Sequence, residues 1–269
     1  MNAPARFSAP AAALVRGVPA SYVECLRAEP VPVDPARAAA QAEEYARVLE
    51  RAGVRLVRLP ADEASPDCCF VEDTAVVLST ELAMVTRPGA PSRRGEVRPV
   101  AAALRPMVIE RVERVAATID GGDVLRDGET LWVGLSERTN RDGAAALAQV
   151  AARLGLRVVE VPVGAGLHLK SAVTLLGPGR LVMLQGALDP APFRAAGAEV
   201  IEVDEPAGGN VLALGGAVLV SSAAPATAER LRREPGVEVV TVDVSELHKG
   251  DGALTCLSVR IPPPGAWCA

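Results

Sequence analysis

The stretch Glu72-Asp73-Thr74-Ala75-Val76-Val77-Leu78 decides the fold, because its pattern recurs along the whole chain. Each copy of the pattern begins with one or two polar or glycine residues and continues as an apolar run that is typical of a strand. The other four copies span 121–125, 170–176, 208–214 and 251–257. The copies start roughly 40 to 50 residues apart, a period that indicates an architecture of repeated units.

Each copy is followed by further elements in a constant order. Turn residues such as Ser-Thr, Asp-Gly and Gly-Pro-Gly separate the first strand from a second apolar run. The second strands are predicted at 82–86, 131–135, 181–184 and 217–220. Helices are predicted at 34–51, 96–104, 141–154, 191–196 and 226–233. Alternating strands are predicted after them at 54–59, 107–112, 156–161, 199–203 and 237–242.

The last copy is the exception, because only the apolar run 258–261 follows it. We expect this run to pair with the N-terminal run 12–15, which would close a ring and remove exposed sheet edges. The predicted fold class is therefore α/β, with five strand-strand-helix-strand units around one axis. No linker divides the units, so we expect a single domain over 1–269.

Composition excludes several classes of function. The chain carries 28 Lys plus Arg against 33 Asp plus Glu, and this net charge of -5 argues against a protein that binds nucleic acid backbones. Aromatic residues make up 3% of the chain, too few for base-stacking platforms. The longest uncharged stretch, 206–228, contains four glycines and two prolines, so we expect a hairpin there and no membrane helix.

The cysteines and the N-terminal segment predict where the protein works. Residues 1–20 lack the continuous apolar region of an export signal. Five cysteines without repeated C-x-x-C spacing favour free thiols in a reducing compartment over a disulfide framework or a zinc site. We expect a cytoplasmic protein in which Cys68, Cys69 and Cys268 are structural or incidental.

Polar residues at the starts of the five units should meet at the axis. They are Glu72, Asp73, Asp120, Asp123, His168, Lys170, Asn210 and Asp251, with Cys256 slightly further along the last unit. A cysteine, a histidine and an acid together support nucleophilic catalysis. Several carboxylates in one pocket also favour a cation, and a guanidinium matches carboxylates through paired hydrogen bonds.

Two arginines suit the opposite task. Arg93 and Arg138 follow the hairpins of successive units and could both bind a carboxylate. A substrate with a guanidinium at one end and a carboxylate at the other resembles arginine. The bland alternatives are that Cys256 and His168 are core residues, that Asp120 and Asp123 are turn residues, and that both arginines form surface ion pairs.

With these motifs in place, the sequence resembles the dimethylarginine dimethylaminohydrolase family of the guanidine-modifying (pentein) superfamily. The resemblance covers nearly the whole chain and is densest at 67–73, 86–94, 120–125, 133–140, 166–171 and 245–259. It implies a five-bladed α/β propeller that hydrolyses Nω-methylated arginine to citrulline and a methylamine, without metal or organic cofactor. The expected partner is this small molecule alone, bound to a monomer or homodimer.

The resemblance also implies roles for individual residues. Cys256 would be the nucleophile, His168 the general acid and then the base, and Asp120 the partner of His168, although some family members carry Glu at that position. Around the substrate it places Leu26, Asp67, Glu72, Asp73, Arg93, Arg138 and Asp251. Leu26 would meet the α-amino group through its backbone, and the two arginines would bind the α-carboxylate.

Three questions stay open at this point. Lys170 is expected only to hydrogen-bond within the pocket wall, and His248, which has no counterpart in the family pattern, is expected at the pocket rim. A deiminase or dihydrolase acting on free arginine is the nearest alternative enzyme. A non-catalytic protein on the same scaffold, similar to the ribosome anti-association factors, is the alternative of another class, but those factors lack the Cys-His-acid set.

Overall fold

The computed structural model describes residues 9–164 and 166–264 of the chain, so Cys268 lies outside the described residues. Its strands are β1 (Ala12–Arg16), β2 (Arg55–Leu59), β3 (Ala75–Val77), β4 (Leu82–Val85), β5 (Val108–Arg111), β6 (Val124–Asp127), β7 (Thr130–Leu135), β8 (Arg157–Pro162), β9 (Val173–Gly177), β10 (Arg180–Leu184), β11 (Glu199–Val203), β12 (Leu212–Leu214), β13 (Ala217–Ser221), β14 (Glu238–Val242) and β15 (Val259–Ile261). Its helices are α1 (Pro35–Arg51), α2 (Val97–Ala103), α3 (Arg141–Ala152), α4 (Leu169–Ala172), α5 (Ala191–Ala195), α6 (Pro225–Arg232) and α7 (Ser245–His248). None of the helices within these residues combines the length and apolarity needed to span a bilayer.

The strands form five three-stranded sheets with one plan. In each sheet the first strand runs antiparallel to the middle strand, and the middle strand runs parallel to the third after a helical crossover. The sheets are ordered β3-β4-β5, β6-β7-β8, β9-β10-β11, β12-β13-β14 and β15-β1-β2. The five predicted strand-strand-helix-strand units and the α/β propeller are therefore confirmed.

The fifth sheet combines strands from distant parts of the chain. β1 pairs antiparallel with β15, with Leu14 opposite Val259, and pairs parallel with β2 on its other side. The predicted closure between 12–15 and 258–261 is confirmed. Because the remaining units follow one another along the chain, this pairing is the step that completes the ring.

The ends of the longest helix show why the helix predictions succeeded. Asp34 precedes α1, and its Oδ1 accepts hydrogen bonds from the backbone N–H groups of Ala36 and Arg37. Pro35 occupies the first turn, where its missing N–H costs nothing. Gly53 ends the segment with φ of 82°, a conformation that glycine adopts without steric penalty.

Short helical turns precede the first strands and bring polar residues to the axis. Single turns at Val71–Thr74, Gly121–Asp123 and Thr255–Leu257, together with α4, directly precede the first strands of four of the five sheets. Neighbouring turns pack closely: a Cβ on Gly121 would lie 2.1 Å from the carbonyl oxygen of Glu72. The side chains of these turns consequently converge at the centre of the ring.

Candidate functional site

A cleft with an open volume of about 300 Å³ lies at the axis. It is lined by Leu26, Asp67, Phe70, Asp73, Arg93, Arg138, Leu167, His168, Gly250, Asp251, Gly252 and Cys256. The structure therefore brings together two members of the predicted catalytic set and six of the seven residues predicted around the substrate. Asp120 lies behind the cleft wall, and Glu72 does not line the cleft.

His168 and Asp120 form a buried pair at the back of this cleft. Nε2 of His168 lies 3.0 Å from Oδ2 of Asp120, whose Oδ1 accepts a hydrogen bond from the backbone N–H of Gly89 at 2.8 Å. A Cβ on Gly122 would lie 2.8 Å from Nδ1 of His168, so a side chain at position 122 would displace the imidazole ring. The resemblance expected Asp120 to orient His168, and the distance fits that role.

The carboxylates around His168 hold its ring in the protonated state. Burial alone would lower the pKa of His168, but the nearby charge of Asp73, the hydrogen bond that the ring donates to Asp120 and the charge of Asp123 raise it to about 9. The ring is therefore a cation at neutral pH. A protonated imidazole inside a cleft is suited to donate a proton to a departing nitrogen.

Arg93 does not stand free to bind a ligand. Its buried guanidinium donates to Oδ2 of Asp73 at 2.5 Å and to both carboxylate oxygens of Glu96, and its Nη2 also reaches the carbonyl oxygen of Phe70. Together with His168, it holds the pKa of Asp73 below its usual range against the opposing effect of burial. Arg93 thus balances the charge of the acidic wall.

Arg138 differs from Arg93 in its surroundings. Its side chain is half-buried at the cleft, and within the described residues the structure gives its guanidinium neither a hydrogen bond nor an ion pair. It lies close enough to Asp67 to lower the pKa of that carboxyl, although burial raises the pKa overall. Of the two arginines predicted to bind a carboxylate, Arg138 is the one whose guanidinium is available.

Cys256 sits in the last single turn before β15. The thiol is buried, and its backbone N–H donates to the carbonyl oxygen of Ala253 at 3.1 Å. Burial, followed by the charges of Asp73 and Glu72, raises the pKa of Cys256 to about 12. The surrounding protein groups therefore favour a neutral thiol, and added positive charge beside the sulfur would favour the thiolate.

Glu72 faces a second cavity on the other side of the axis. Its Oε1 accepts hydrogen bonds from Nζ of Lys170 at 2.5 Å and from Nη2 of Arg260 at 2.7 Å, while its buried Oε2 has no partner among the described residues. Lys170 is expected to hydrogen-bond within the pocket wall; it does bind Glu72, but it lines this second cavity and not the cleft. Direct contact between Glu72 and substrate stays a prediction that the cleft geometry does not favour.

Asp67 and Asp251 bind the loop that follows Tyr22. The backbone N–H of Leu26 donates to Oδ1 of Asp67 at 3.0 Å, and that of Ala28 donates to Oδ2 of Asp251 at 2.6 Å. Leu26 is expected to meet the α-amino group through its backbone, and the bond to Asp67 leaves its carbonyl oxygen for that task. Both carboxylates thereby hold the loop over the cleft.

Asp123 and Asn210 have structural partners. Oδ1 of Asp123 accepts from the backbone N–H of Leu169, and its Oδ2 accepts from the hydroxyl groups of Ser136 and Thr139. The amide of Asn210 donates to the carbonyl oxygen of Lys170, and so ties the third unit to the fourth. These residues shape the axis without lining the cleft.

The position predicted for His248 is wrong in detail. The residue does not line the cleft: it lies behind Gly252, with Nδ1 2.8 Å from the carbonyl oxygen of Gly252 and Nε2 2.8 Å from Oγ of Ser221. Sequence spacing could not show that Ser221, a residue of β13, lies beside His248.

Asp73, Asp120 and His168 have the composition of a metal site. One ligand atom from each lies within 4.8 Å of the others. However, the carboxylate of Asp73 is paired with Arg93, and the protonated ring of His168 has no lone pair to offer a metal. The electrostatics of this group suit a proton relay better than a metal centre.

Sequence reasoning missed several parts of the site. Phe70 and Leu167 contribute apolar surface to the cleft, and Glu96 completes the charge balance of Arg93. The spacing of three residues between Arg93 and Glu96 is the signal that could have revealed this pair. Cys25, Cys68 and Cys69 are buried and, like Cys256, form no disulfide among the described residues.

A five-bladed α/β propeller with a thiol, a protonated imidazole and paired carboxylates at its axis defines the guanidine-modifying class of hydrolases. The sequence profile of the family described as N,N dimethylarginine dimethylhydrolase, eukaryotic, matches residues 29–261. An N(G),N(G)-dimethylarginine dimethylaminohydrolase of Streptomyces coelicolor is 41% identical over 85% of this chain and 88% of its own length. The chain belongs to the dimethylarginine dimethylaminohydrolase family.

Similar structures agree with this assignment. The dimethylarginine dimethylaminohydrolase of Pseudomonas aeruginosa, solved as a mutant complexed with citrulline, superimposes with a TM-score of 0.88 at 30% identity and covers 94% of this chain and 100% of its own. The N-terminal domain of the cyanobacterial arginine dihydrolase ArgZ has a TM-score of 0.82 at 20% identity, and shares the fold.

Proposed function

We propose that this protein hydrolyses Nω-methylated arginine to citrulline and dimethylamine or methylamine. The observation that carries the proposal is that one cleft is lined by a thiol, a protonated imidazole, carboxylates and the available guanidinium of Arg138. The related enzymes of Streptomyces and Pseudomonas carry this activity in their names, and the solved Pseudomonas mutant holds citrulline.

Substrate binding follows from the charge distribution in the cleft. The substrate guanidinium is a delocalised cation that pairs with carboxylates through parallel N–H···O bonds, and Asp73 supplies such a carboxylate in the wall. At the opposite end of the substrate, Arg138 binds the α-carboxylate. Arg93 contributes by keeping Asp73 ionised, while the carbonyl oxygen of Leu26 accepts from the α-amino group.

The bound cation activates the nucleophile. The protein alone keeps Cys256 neutral because burial and two carboxylates raise the pKa of its thiol to about 12. A guanidinium beside the sulfur stabilises the thiolate and lowers this pKa, so the proton leaves to solvent only when substrate is present. The thiol is therefore protected from side reactions between turnovers.

The first half of the reaction forms a covalent intermediate. Sγ of Cys256 attacks the guanidinium carbon, and the carbon–nitrogen bond to the methylated nitrogen breaks. His168 donates its proton to that nitrogen, and the amine departs uncharged. Asp120 occupies Nε2 of His168, so we assign the transferred proton to Nδ1. The enzyme then holds a cationic S-alkylthiouronium and a neutral imidazole.

Water completes the reaction in the second half. The neutral ring of His168 takes a proton from a water molecule, and the resulting hydroxide attacks the thiouronium carbon. The carbon–sulfur bond breaks, Cys256 leaves as a thiolate, and the product loses a proton to become citrulline. Every step of this proposal uses groups of this chain and water.

The decisive experiment measures citrulline release from dimethylarginine, monomethylarginine and arginine in parallel. We expect kcat/KM for at least one methylated substrate to exceed that for arginine by more than tenfold. Comparable turnover of plain arginine would assign the protein to the dihydrolase alternative, and no release from any of the three would refute the proposal. This assay does not test the predicted cytoplasmic location, the single domain or the monomeric or dimeric state, which stay predictions.

Covalent labelling supplies the control for the nucleophile. A haloacetamidine, which carries the cationic amidine group, should alkylate Cys256 selectively, and dimethylarginine should suppress this reaction. Cys256→Ser should lose both labelling and turnover. Equal labelling of Cys25, Cys68, Cys69 and Cys256 would contradict a thiol that is activated only by a cation.

A further inference from the structure

The loop that carries Asp251 adopts an unusual backbone conformation. Asp251 has φ of 57°, and among the described residues it is the one non-glycine residue with positive φ. This left-handed region is sterically disfavoured for residues with a Cβ, so neighbouring contacts must hold it. Gly252 follows directly, and a Cβ there would lie 2.1 Å from the ring of Phe70.

His248 connects this loop to a neighbouring unit of the propeller. Its Nδ1 lies 2.8 Å from the carbonyl oxygen of Gly252, and its Nε2 lies 2.8 Å from Oγ of Ser221, the last residue of β13. Ser221 is buried within the fourth sheet, which gives the contact a rigid base. The imidazole therefore bridges the fourth unit and the cleft loop.

The hydrogen bonds of this bridge have one consistent direction. A carbonyl oxygen only accepts, so Nδ1 of His248 must carry a hydrogen. Burial lowers the pKa of His248, which keeps the ring neutral and leaves Nε2 as the acceptor. The hydroxyl of Ser221 then donates to Nε2, while its oxygen accepts from the backbone N–H of Ala223 at 3.2 Å. A single tautomer satisfies every group.

We propose that His248 is a positioning residue for substrate binding: it fixes the carbonyl of Gly252 and thereby the strained backbone of Asp251. Asp251 lines the cleft and binds the backbone N–H of Ala28, so its placement also sets the loop above the cleft. His248 itself does not line the cleft and does not transfer protons to substrate. This proposal rests on the proposed function, because its kinetic test needs the substrate.

Two variants separate positioning from bulk packing. His248→Asn keeps a side-chain N–H donor attached at the γ carbon, where Nδ1 is attached, whereas His248→Leu keeps comparable bulk without a donor. We expect His248→Leu to raise KM for the methylated substrate about fivefold to tenfold, the effect of losing one hydrogen bond, with kcat within twofold. His248→Asn should restore KM to within about twofold of the unmodified protein. Equal KM values in the Leu variant and the unmodified protein, or equal losses in both variants, would overturn the proposal.

A second measurement does not depend on turnover. The chain has two histidines, so the ring nitrogen NMR spectrum of the tag-free protein contains two sets of signals, which His248→Asn assigns. We expect His248 to be neutral at pH 7 with its hydrogen on Nδ1, and Ser221→Ala to perturb its Nε2 signal. A hydrogen on Nε2 would refute the bridge even if the enzyme is active, whereas the expected tautomer in a protein that hydrolyses none of the tested substrates would refute only the proposed function.

Discussion

Of the two histidines of this chain, His168 is buried and His248 is partly buried, and the structure gives them opposite charge states. His168 is surrounded by Asp73, Asp120 and Asp123, and these carboxylates raise its pKa to about 9. His248 contacts a carbonyl and a hydroxyl group, so the effect of burial prevails and lowers its pKa. Burial acts in the same direction on both rings, and the neighbouring groups determine which ring holds a second proton.

This difference separates proton transfer from positioning. A ring that is cationic at neutral pH and lines the cleft can protonate a leaving group, whereas a neutral ring behind the cleft can only hold a backbone in place. The residue type alone cannot make this distinction, because both residues are histidines with a lysine one or two positions further along the chain. The contrast is best tested by changing each ring and its partners in turn.

The largest effect is expected from removing the cationic ring. His168→Ala should lower kcat by about a thousandfold, because both proton transfers lose their donor and acceptor. His248→Ala is the matched control, because it makes the same substitution at the other histidine of the chain. This variant should keep most of kcat. Steady-state kinetics with dimethylarginine check both variants. A similar collapse of kcat in both would show that the two rings do not have separate tasks.

A smaller effect is expected from the partner of His168. Asp120→Asn keeps the shape of the side chain but removes its charge, so it should lower kcat by about a hundredfold and lower the pKa of the ring. Asp123→Asn is the comparison, because Asp123 bonds to Ser136, Thr139 and Leu169 instead of the ring. We expect Asp123→Asn mainly to lower the free energy of unfolding, and to lower kcat less than Asp120→Asn does. A larger loss of kcat in Asp123→Asn than in Asp120→Asn would count against Asp120 as the orienting acid.

The smallest effect at neutral pH is expected from titration itself. Because the pKa of His168 is raised to about 9, titration of this ring should leave kcat/KM nearly level up to that pH and then lower it about tenfold per pH unit.

The free energy of unfolding should also fall at high pH. Protonation of His168 contributes fully to stability below its ordinary pKa of 6.5, and this contribution is lost as pH rises through about 9. Denaturant unfolding of the unmodified protein and His168→Ala between pH 6 and 10 checks this. A descending limb near pH 6.5 would indicate an ordinary histidine.

Much of the fold could be predicted from the sequence, because each repeat shows where its strands and its helix begin and end. The strand at Glu199–Val203 was predicted with its observed bounds, and helix α1 differs by one residue at its start. The pairing of Asp120 with His168 is implied by the resemblance to the family, and the two side chains lie 3.0 Å apart in the structure. Sequence periodicity therefore predicts the strands and helices within one unit and those that recur in every unit.

The remaining features depend on packing that periodicity does not describe. Asp73 faces the cleft while the adjacent Glu72 faces the second cavity, because a single helical turn points consecutive side chains in different directions. Likewise, Arg93 and Arg138 occupy similar loops, but Glu96 lies within reach of Arg93 alone. Such differences arise from single neighbours, and these vary from unit to unit.

The pairing of β1 with β15 has a consequence for synthesis of the protein. Cys256 lies three positions before β15, in the unit that needs residues from both ends of the described chain. On the ribosome, β1 and β2 emerge first and β15 emerges after the other four units, so the long sequence separation makes closure of this unit a late event. We therefore expect the surroundings proposed for Cys256 to be completed only when β1 and β15 pair, which makes the proposed nucleophile a late product of folding.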